Sequence, residues 1–259
     1  MFRPALPRPS RRHTGGCRFI LWMALILAGL AMGGCKPPPV ANHGLPPGPG
    51  EEDDIFKGAP GKYGSTFVLV DTDEPKTFNP LVLNDLTSMM ASMYLFSPLV
   101  NYNSMTATLT PALAKSWDIG ADKQTYTFHL RKGIKWSDGA PFTADDVIFT
   151  LDCVFAQITD PVTGKKEARF PNQFYDQFTF DGQIISYKKI DDYTVQIYTP
   201  KIYSPFINDM NSVLILPKHK LESSLQDGSF MKQLSTQEAI DHPEDIVGTG
   251  PFVLKAFKP

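Results

Sequence analysis

Cysteine is scarce in this chain. Cys17 and Cys35 both fall within the first 35 residues, and Cys153 is the one thiol of the remainder, which excludes an internal disulfide framework there. Cys153 sits in the run Leu151-Asp152-Cys153-Val154-Phe155 with no His or Arg beside it in sequence. The expectation is a small buried hydrophobe rather than a nucleophile. Charge of one sign is missing too. Against 25 Lys and Arg stand 27 Asp and Glu, a formal net charge of −2, so there is no basic excess of the kind a nucleic-acid partner requires. The main apolar run, residues 19–31, is shorter than the roughly 20 residues a membrane-spanning helix needs. Signatures of catalysis are also lacking. There is no Gly-x-Ser-x-Gly elbow and no phosphate-cradling glycine loop. His43, His129, His219 and His242 are scattered, with no pair at metal-ligand spacing on a helix. Neither an enzyme, a metal site nor a cofactor is expected, and no internal repeat is evident.

What the front of the chain does contain is an export signal. Arg3, Arg8, Arg11, Arg12 and Arg18 form a basic n-region, residues 19–31 are almost wholly apolar, and Gly33-Gly34 precede Cys35. Small residues let a chain lie extended in a peptidase cleft, and a thiol just after them accepts diacylglycerol. Residues 1–34 therefore read as a lipoprotein signal peptide and Cys35 as the lipidated N-terminus, with ordinary secretion or an uncleaved anchor as the alternative. Residues 35–60 are rich in Pro and Gly and carry the acidic run Glu51-Glu52-Asp53-Asp54. Such composition cannot bury a core and reads as a tether.

From residue 61 to residue 259 the pattern is that of a globular α/β body. Tyr126, Phe128 and Leu130 alternate with polar neighbours, the period-2 signature of a half-buried strand. Trp136-Ser137-Asp138-Gly139 is turn chemistry. Thr143 stands three residues before Asp146 and opens the apolar run Val147, Ile148, Phe149, Leu151, a capping-box helix start. Residues 159–164 and 169–173 read as loops. Residues 183–189 and 193–198 read as a strand pair across Asp191-Asp192, residues 204–210 as a helix start, 213–216 as a short strand, and 221–240 as surface helix and loop. Trp117 and Trp136 are expected in the core. His129 is expected on one strand face with Arg131, and Lys218-His219 as a strand-end structural pair.

Taken in order, these segments resemble a known family. Pro111 and Leu113-Ala114 lead to Ser116-Trp117; then come Tyr126-Thr127-Phe128-His129-Leu130-Arg131-Lys132-Gly133, Trp136-Ser137-Asp138-Gly139 and Thr143-Ala144-Asp145-Asp146-Val147. Gly64-Ser65-Thr66-Phe67-Val68-Leu69-Val70 with Thr77-Phe78-Asn79-Pro80, Leu216-Pro217-Lys218-His219, and Gly248-Thr249-Gly250-Pro251-Phe252 extend the match. The series is similar to the bacterial extracellular solute-binding proteins of family 5, which feed oligopeptide and dipeptide ABC importers.

The resemblance implies a type II periplasmic-binding-protein-like α/β fold in which two lobes close on a ligand. This chain would supply the first lobe with its inserted small domain, the second lobe being missing, as in a truncated N-terminal fragment. It implies non-covalent binding of an extended peptide, largely through main-chain hydrogen bonds, and delivery to membrane permease subunits by a monomer. Held to the bilayer by its lipid, the protein would face the periplasm or cell exterior. Asn84, Asp85, Leu86 and Thr87 match a stretch that lines the cleft in this family: Asn84 and Thr87 would meet peptide backbone, and Asp85 an amine. The residues themselves leave a helix N-terminus open as the other reading, since Asn and Asp are good caps. Another cargo on the same fold (an oligosaccharide, a nickel chelate or haem) and a non-transport interaction lipoprotein also stay open.

Overall fold

The computed structural model describes residues 73–104 and 106–259, all of them within the compact unit Val40–Pro259. The signal peptide, Cys35, the tether and the expected strand at residues 64–70 lie outside the described residues.

Helix α1 (Leu86–Leu95) is followed by the hairpin β1 (Val100–Asn103) and β2 (Thr108–Pro111), and then by β3 (Ala114–Ile119) and β4 (Thr125–Leu130). After α2 (Ala144–Phe155) come β5 (Gln157–Thr159), β6 (Lys166–Ala168), α3 (Gln173–Gln177), β7 (Thr179–Phe180) and β8 (Gln183–Ile184). The series ends with β9 (Ser186–Asp191), β10 (Thr194–Tyr198), α4 (Phe206–Asp209), α5 (Lys218–Asp227) and α6 (Thr236–Asp241).

The centre is an antiparallel sheet of order β3-β4-β10-β9 with α2 against one face. The alternation in β4 is realised: Tyr126, Phe128 and Leu130 are buried, while Thr125, Thr127 and His129 stay partly open. Phe128 lies opposite Val195, and Tyr126 opposite Ile197, so the inner face of β4 and β10 is one apolar layer. Val147, Leu151 and Val154 of α2 are buried in the same core.

The start of α2 follows from its sequence. Thr143 accepts from the Asp145 amide at 3.3 Å, and the Asp146 carboxylate returns to accept from the Thr143 amide at 2.9 Å, completing a capping box. Asp146 does more than cap. It also accepts from the Trp136 indole at 3.3 Å and from the Lys218 amide at 3.0 Å. One carboxylate thus ties together the Trp-Ser-Asp-Gly turn, the first turn of α2 and the first turn of α5. Trp136 itself is buried, and Trp117 is half-buried against the core. Gly139 makes the turn with φ +91°, its amide donating to the Trp136 carbonyl at 2.9 Å. Cys153 is buried in α2, and its burial raises the thiol pKa. That is the inert behaviour expected of it.

Several expectations are corrected. Residues 183–189 are not one strand. Asp181 and Gly182 both take positive φ (52° and 81°), a two-residue turn that folds β8 back onto β7, and β9 begins only at Ser186. Residues 213–216 are extended and buried but form no strand; Leu214 makes a single bridge to Pro98, which has no N–H with which to continue a ladder. The loop expected at 159–164 is found, as the turn between β5 and β6 that starts after Thr159, where Asp160 accepts from the amides of Val162 and Thr163 at 2.7 Å each. Lys218-His219 opens a helix instead of ending a strand. His129 and Arg131 do not share an environment: His129 meets Asp118 at 2.8 Å on the open face, whereas Arg131, just past the end of β4, is buried and donates to the Ala112 carbonyl at 2.8 Å.

Candidate functional site

The four residues singled out in sequence straddle the start of α1. Asp85 is its N-cap, with extended backbone (φ −140°, ψ 153°). One carboxylate oxygen accepts from the Ser88 amide at 2.8 Å and the other from the Ser88 hydroxyl at 2.8 Å. The Ser88 amide bond holds the Asp85 pKa below its ordinary value of 3.8; partial burial opposes this, and the Ser88 hydroxyl and the charge of Lys76 reinforce it. The Ser88 hydroxyl oxygen in turn accepts from the Lys76 amide at 2.8 Å and the Thr77 amide at 3.3 Å. The chain entering the described region is therefore pinned to the first turn of α1. Asn84 and Leu86 are exposed and Thr87 is half-buried. Leu86 and Thr87 are the first two residues of the helix, so their amides have no intrahelical acceptor and point out of its positive end. What the four residues offer together is two amide donors without an acceptor in the helix, one carboxamide, one hydroxyl and a carboxylate already holding two hydrogen bonds.

The sequence reading did not find Ser88, Lys76 and Thr77, the groups that fix this loop. The signal was there in the Asp-x-x-Ser spacing, which is an N-cap pairing as well as a loop pattern.

At the other end of α1 the glycine-rich segment closes in. The Gly250 amide donates to the Leu95 carbonyl at 2.8 Å and the Phe252 amide to the Tyr94 carbonyl at 3.1 Å, while the Ser97 hydroxyl donates to the Thr249 carbonyl at 3.1 Å. A Cβ at Gly248 would collide with the Leu95 carbonyl, and one at Gly250 with the Tyr94 and Leu95 backbone. Close approach, not positive φ, requires both glycines. Ser137 completes the junction: its amide donates to the Gly248 carbonyl at 2.9 Å, and its hydroxyl accepts from the Gly248 amide at 3.2 Å. Three motifs far apart in sequence, the α1 loop, the Trp-Ser-Asp-Gly turn and the glycine turn, thus meet at the two ends of one helix.

Beyond the turn, Phe252 packs edge-on to Tyr94 (5.7 Å between ring centroids) and Phe257 edge-on to Phe78 (5.4 Å). Between them lies an open groove of about 490 Å³. Among the described residues no group of three or more His, Cys, Asp or Glu side chains is arranged to hold a metal ion, and no helix is long and apolar enough to cross a membrane.

Comparison with known proteins follows the same motifs. Residues 108–259 match the family model described as bacterial extracellular solute-binding proteins, family 5 Middle. The chain is 32% identical over 202 residues to the dipeptide-binding protein of Escherichia coli, covering 74% of this chain and 36% of that one. It is 31% identical over 203 residues to heme-binding protein A of Haemophilus influenzae, covering 75% and 35%. Among solved structures, the dipeptide-binding protein of a Pseudoalteromonas species in complex with Met-Leu superposes with a TM-score of 0.56 at 26% identity, covering 72% of this chain and 36% of that one. The chain therefore spans about a third of the length of the relatives it matches. Fold and motifs together define the class, an extracellular solute-binding protein with part of the type II periplasmic-binding-protein architecture. Within that class the chain belongs to the bacterial extracellular solute-binding proteins of family 5.

Proposed function

We propose that this chain is the peptide-binding lipoprotein of an ABC importer. Residues 1–34 form the signal peptide, Cys35 carries the lipid, residues 35–60 form the tether, and residues 61–259 contribute the N-terminal part of a two-lobed binding domain. Anchored at the cell envelope and monomeric, it would grip an extended peptide between lobes and present the closed form to the permease. The observation that carries the reading is the open first turn of α1. Its Leu86 and Thr87 amides, at the first turn, have no acceptor within the helix and stand beside Asn84 and Asp85, in a chain whose relatives include proteins named for dipeptide binding. Main-chain donors of this kind bind a peptide without reading its side chains, and water fills what a side chain leaves empty.

The test is calorimetric titration of the protein extracted from its own membranes, against Met-Leu and a panel of short peptides, an oligosaccharide, a nickel chelate and haem. Saturable binding of peptides alone is the expected result. Haem binding without peptide binding would move the assignment toward the haem-binding relative. Intact mass from the same preparation reads the leader and lipid: Cys35→Ser is expected to abolish processing to the lipidated form, and a variant still membrane-bound at unchanged mass refutes the anchor.

Asp85 is tested by a pair of substitutions. Asp85→Asn keeps a capping oxygen and removes the charge, while Asp85→Ala removes both and costs the helix about 1 kcal/mol. If Asp85 meets the peptide amine, both variants weaken peptide binding several-fold. Unchanged affinity in Asp85→Asn removes Asp85 from the site.

A further inference from the structure

The first turn of α5 carries charge of the wrong sign. A helix N-terminus is the positive end of its dipole, yet α5 opens with Lys218, His219 and Lys220, with no acidic residue in that turn and no side-chain cap from Pro217. Each of the three meets a carboxylate instead. Lys218 Nζ lies 3.7 Å from Glu222, His219 Nε2 lies 2.7 Å from Asp138, and Lys220 Nζ lies 2.8 Å from Asp245. Glu222 belongs to α5 itself, whereas Asp138 stands in the Trp-Ser-Asp-Gly turn and Asp245 ends the single turn Pro243–Asp245. A local rule is broken where a contact elsewhere requires it. Here both outside partners adjoin the glycine turn. Asp138 follows Ser137, whose amide donates to the Gly248 carbonyl and whose hydroxyl accepts from the Gly248 amide. Asp245 stands shortly before Gly248, and its carbonyl accepts from the Val247 amide at 2.9 Å. The first turn of α5 thus holds the glycine turn from two sides.

We propose that His219 is a proton-operated latch on the Gly248–Gly250 turn, closed by its contact with Asp138. Imidazole is the side chain whose charge changes between about pH 5 and about pH 8. Protonated, it joins the Asp138 carboxylate by charge and hydrogen bond together; neutral, it keeps at most the hydrogen bond. A charge-assisted bond is about twice as strong as a neutral one, so the turn is held more firmly on the acidic side. The other oxygen of Asp138 accepts from the Ala140 amide at 3.0 Å, which keeps the carboxylate in place in both states. The two side chains are 35% and 27% exposed, so solvent screens the pair less than it screens a surface pair. The charges that face the imidazole are Asp138 from the Trp turn, Asp146 from α2, and Lys218 and Lys220 from its own helix. Behind Lys220 stand Asp245 and, from α6, Glu238. His242, whose Nδ1 is 3.5 Å from Glu244, is a second imidazole in the segment that leads to the turn. The inference is independent of what the protein transports.

Amide hydrogen exchange of the full 259-residue chain, measured at about pH 5 and about pH 8 and corrected for the intrinsic rate at each, tests the latch. The amides to follow are those of Gly248, Gly250 and Phe252, which donate to Ser137, Leu95 and Tyr94. Their protection is read relative to residues 125–130 of β4, so that a change in overall stability cancels. The expected ratio is several-fold higher at the lower pH. In His219→Gln it should stay at both pH values near the level of the unaltered chain at the higher pH, and in His242→Gln the pH dependence should remain. A ratio that does not move with pH in the unaltered chain overturns the proposal. So does a pH dependence that persists in His219→Gln, or one that vanishes in His242→Gln. Should His219→Gln lose protection in β4 as well, NMR titration of the unaltered chain decides instead. The Gly248 amide and the His219 imidazole are expected to shift with one common midpoint, and separate midpoints overturn the latch.

Discussion

Asp146 receives hydrogen bonds from the Thr143 amide, the Lys218 amide and the Trp136 indole. Burial pushes its pKa above the ordinary 3.8, and the bonds from Thr143, Lys218 and Trp136, with the charge of His219, pull it back. The residue is therefore a structural junction, and its removal leaves three donors facing no acceptor. An unsatisfied buried donor costs about 1–3 kcal/mol, and neighbouring losses add incompletely, so Asp146→Ala should destabilise the fold by about 3 kcal/mol. In thermal unfolding that is a drop of roughly 6–12 °C for a body of this size. A change of under about 1 kcal/mol would mean that water replaces the carboxylate and that the junction is not tight. Sequence exposed half of this role. The Thr143–Asp146 spacing announces a capping box, but nothing in a linear pattern says that the same carboxylate also holds an indole 10 residues before it and an amide 72 residues after it.

Elements with a strong local period were the most legible. β4 and α2 fell where alternation and capping put them, because each buries one face against the same layer. The errors came where tertiary contact overrides local pattern. Residues 213–216 are apolar on every side because they are buried on every side, which periodicity alone cannot tell from a strand. Residues 183–189 divide at Ile185 because an unrecognised turn at Asp181-Gly182 pairs Gln183–Ile184 with β7, while Ser186 onward pairs with β10. At α1 the reading located the loop and named the helix-cap alternative, yet the exposure of Met89, Met90 and Met93 went unread because the buried side is marked by serines. The glycine turn is the element where sequence and structure agree for a reason visible only in three dimensions: Gly248 and Gly250 lie directly on the last turn of α1. Gly250→Ala should force that turn away from Leu95 and break the 2.8 Å bond from its amide. Limited proteolysis should then cut near residue 250 several-fold faster, with little change in the β3-β4-β10-β9 sheet by hydrogen exchange. Equal loss of protection in the sheet would show that turn and sheet unfold as one unit.

At the scale of the whole molecule, those carboxylates among the described residues whose pKa is displaced form two sets with opposite effects on acid stability. The first set comprises Asp85, Asp122, Asp138, Asp160, Asp191 and Asp227, all held below 3.8. Most of them cap turns or a helix by accepting backbone amides; Asp138 is lowered despite its burial by His219 and the Ala140 amide. A depressed folded-state pKa means that the unfolded chain takes up protons first, so the stability these groups lend is complete above 3.8 and is lost as pH falls through their folded values. The second set is Asp146 and Asp152, both raised by burial, Asp152 against the opposing hydrogen bond from Tyr187. Here the folded chain takes up protons first, so stability should rise as pH descends through their folded values toward 3.8. Denaturant unfolding at a series of pH values is therefore expected to trace a shallow gain on the acidic side of neutrality, followed by a loss below 3.8. Asp146→Asn, which removes one titration from the second set, should flatten the gain while leaving the loss in place. If the gain survives unchanged in Asp146→Asn, Asp152 carries it alone. If stability instead falls steadily from neutrality with no intervening gain, Asp146 does not titrate as its burial requires, and the junction it forms is open to solvent.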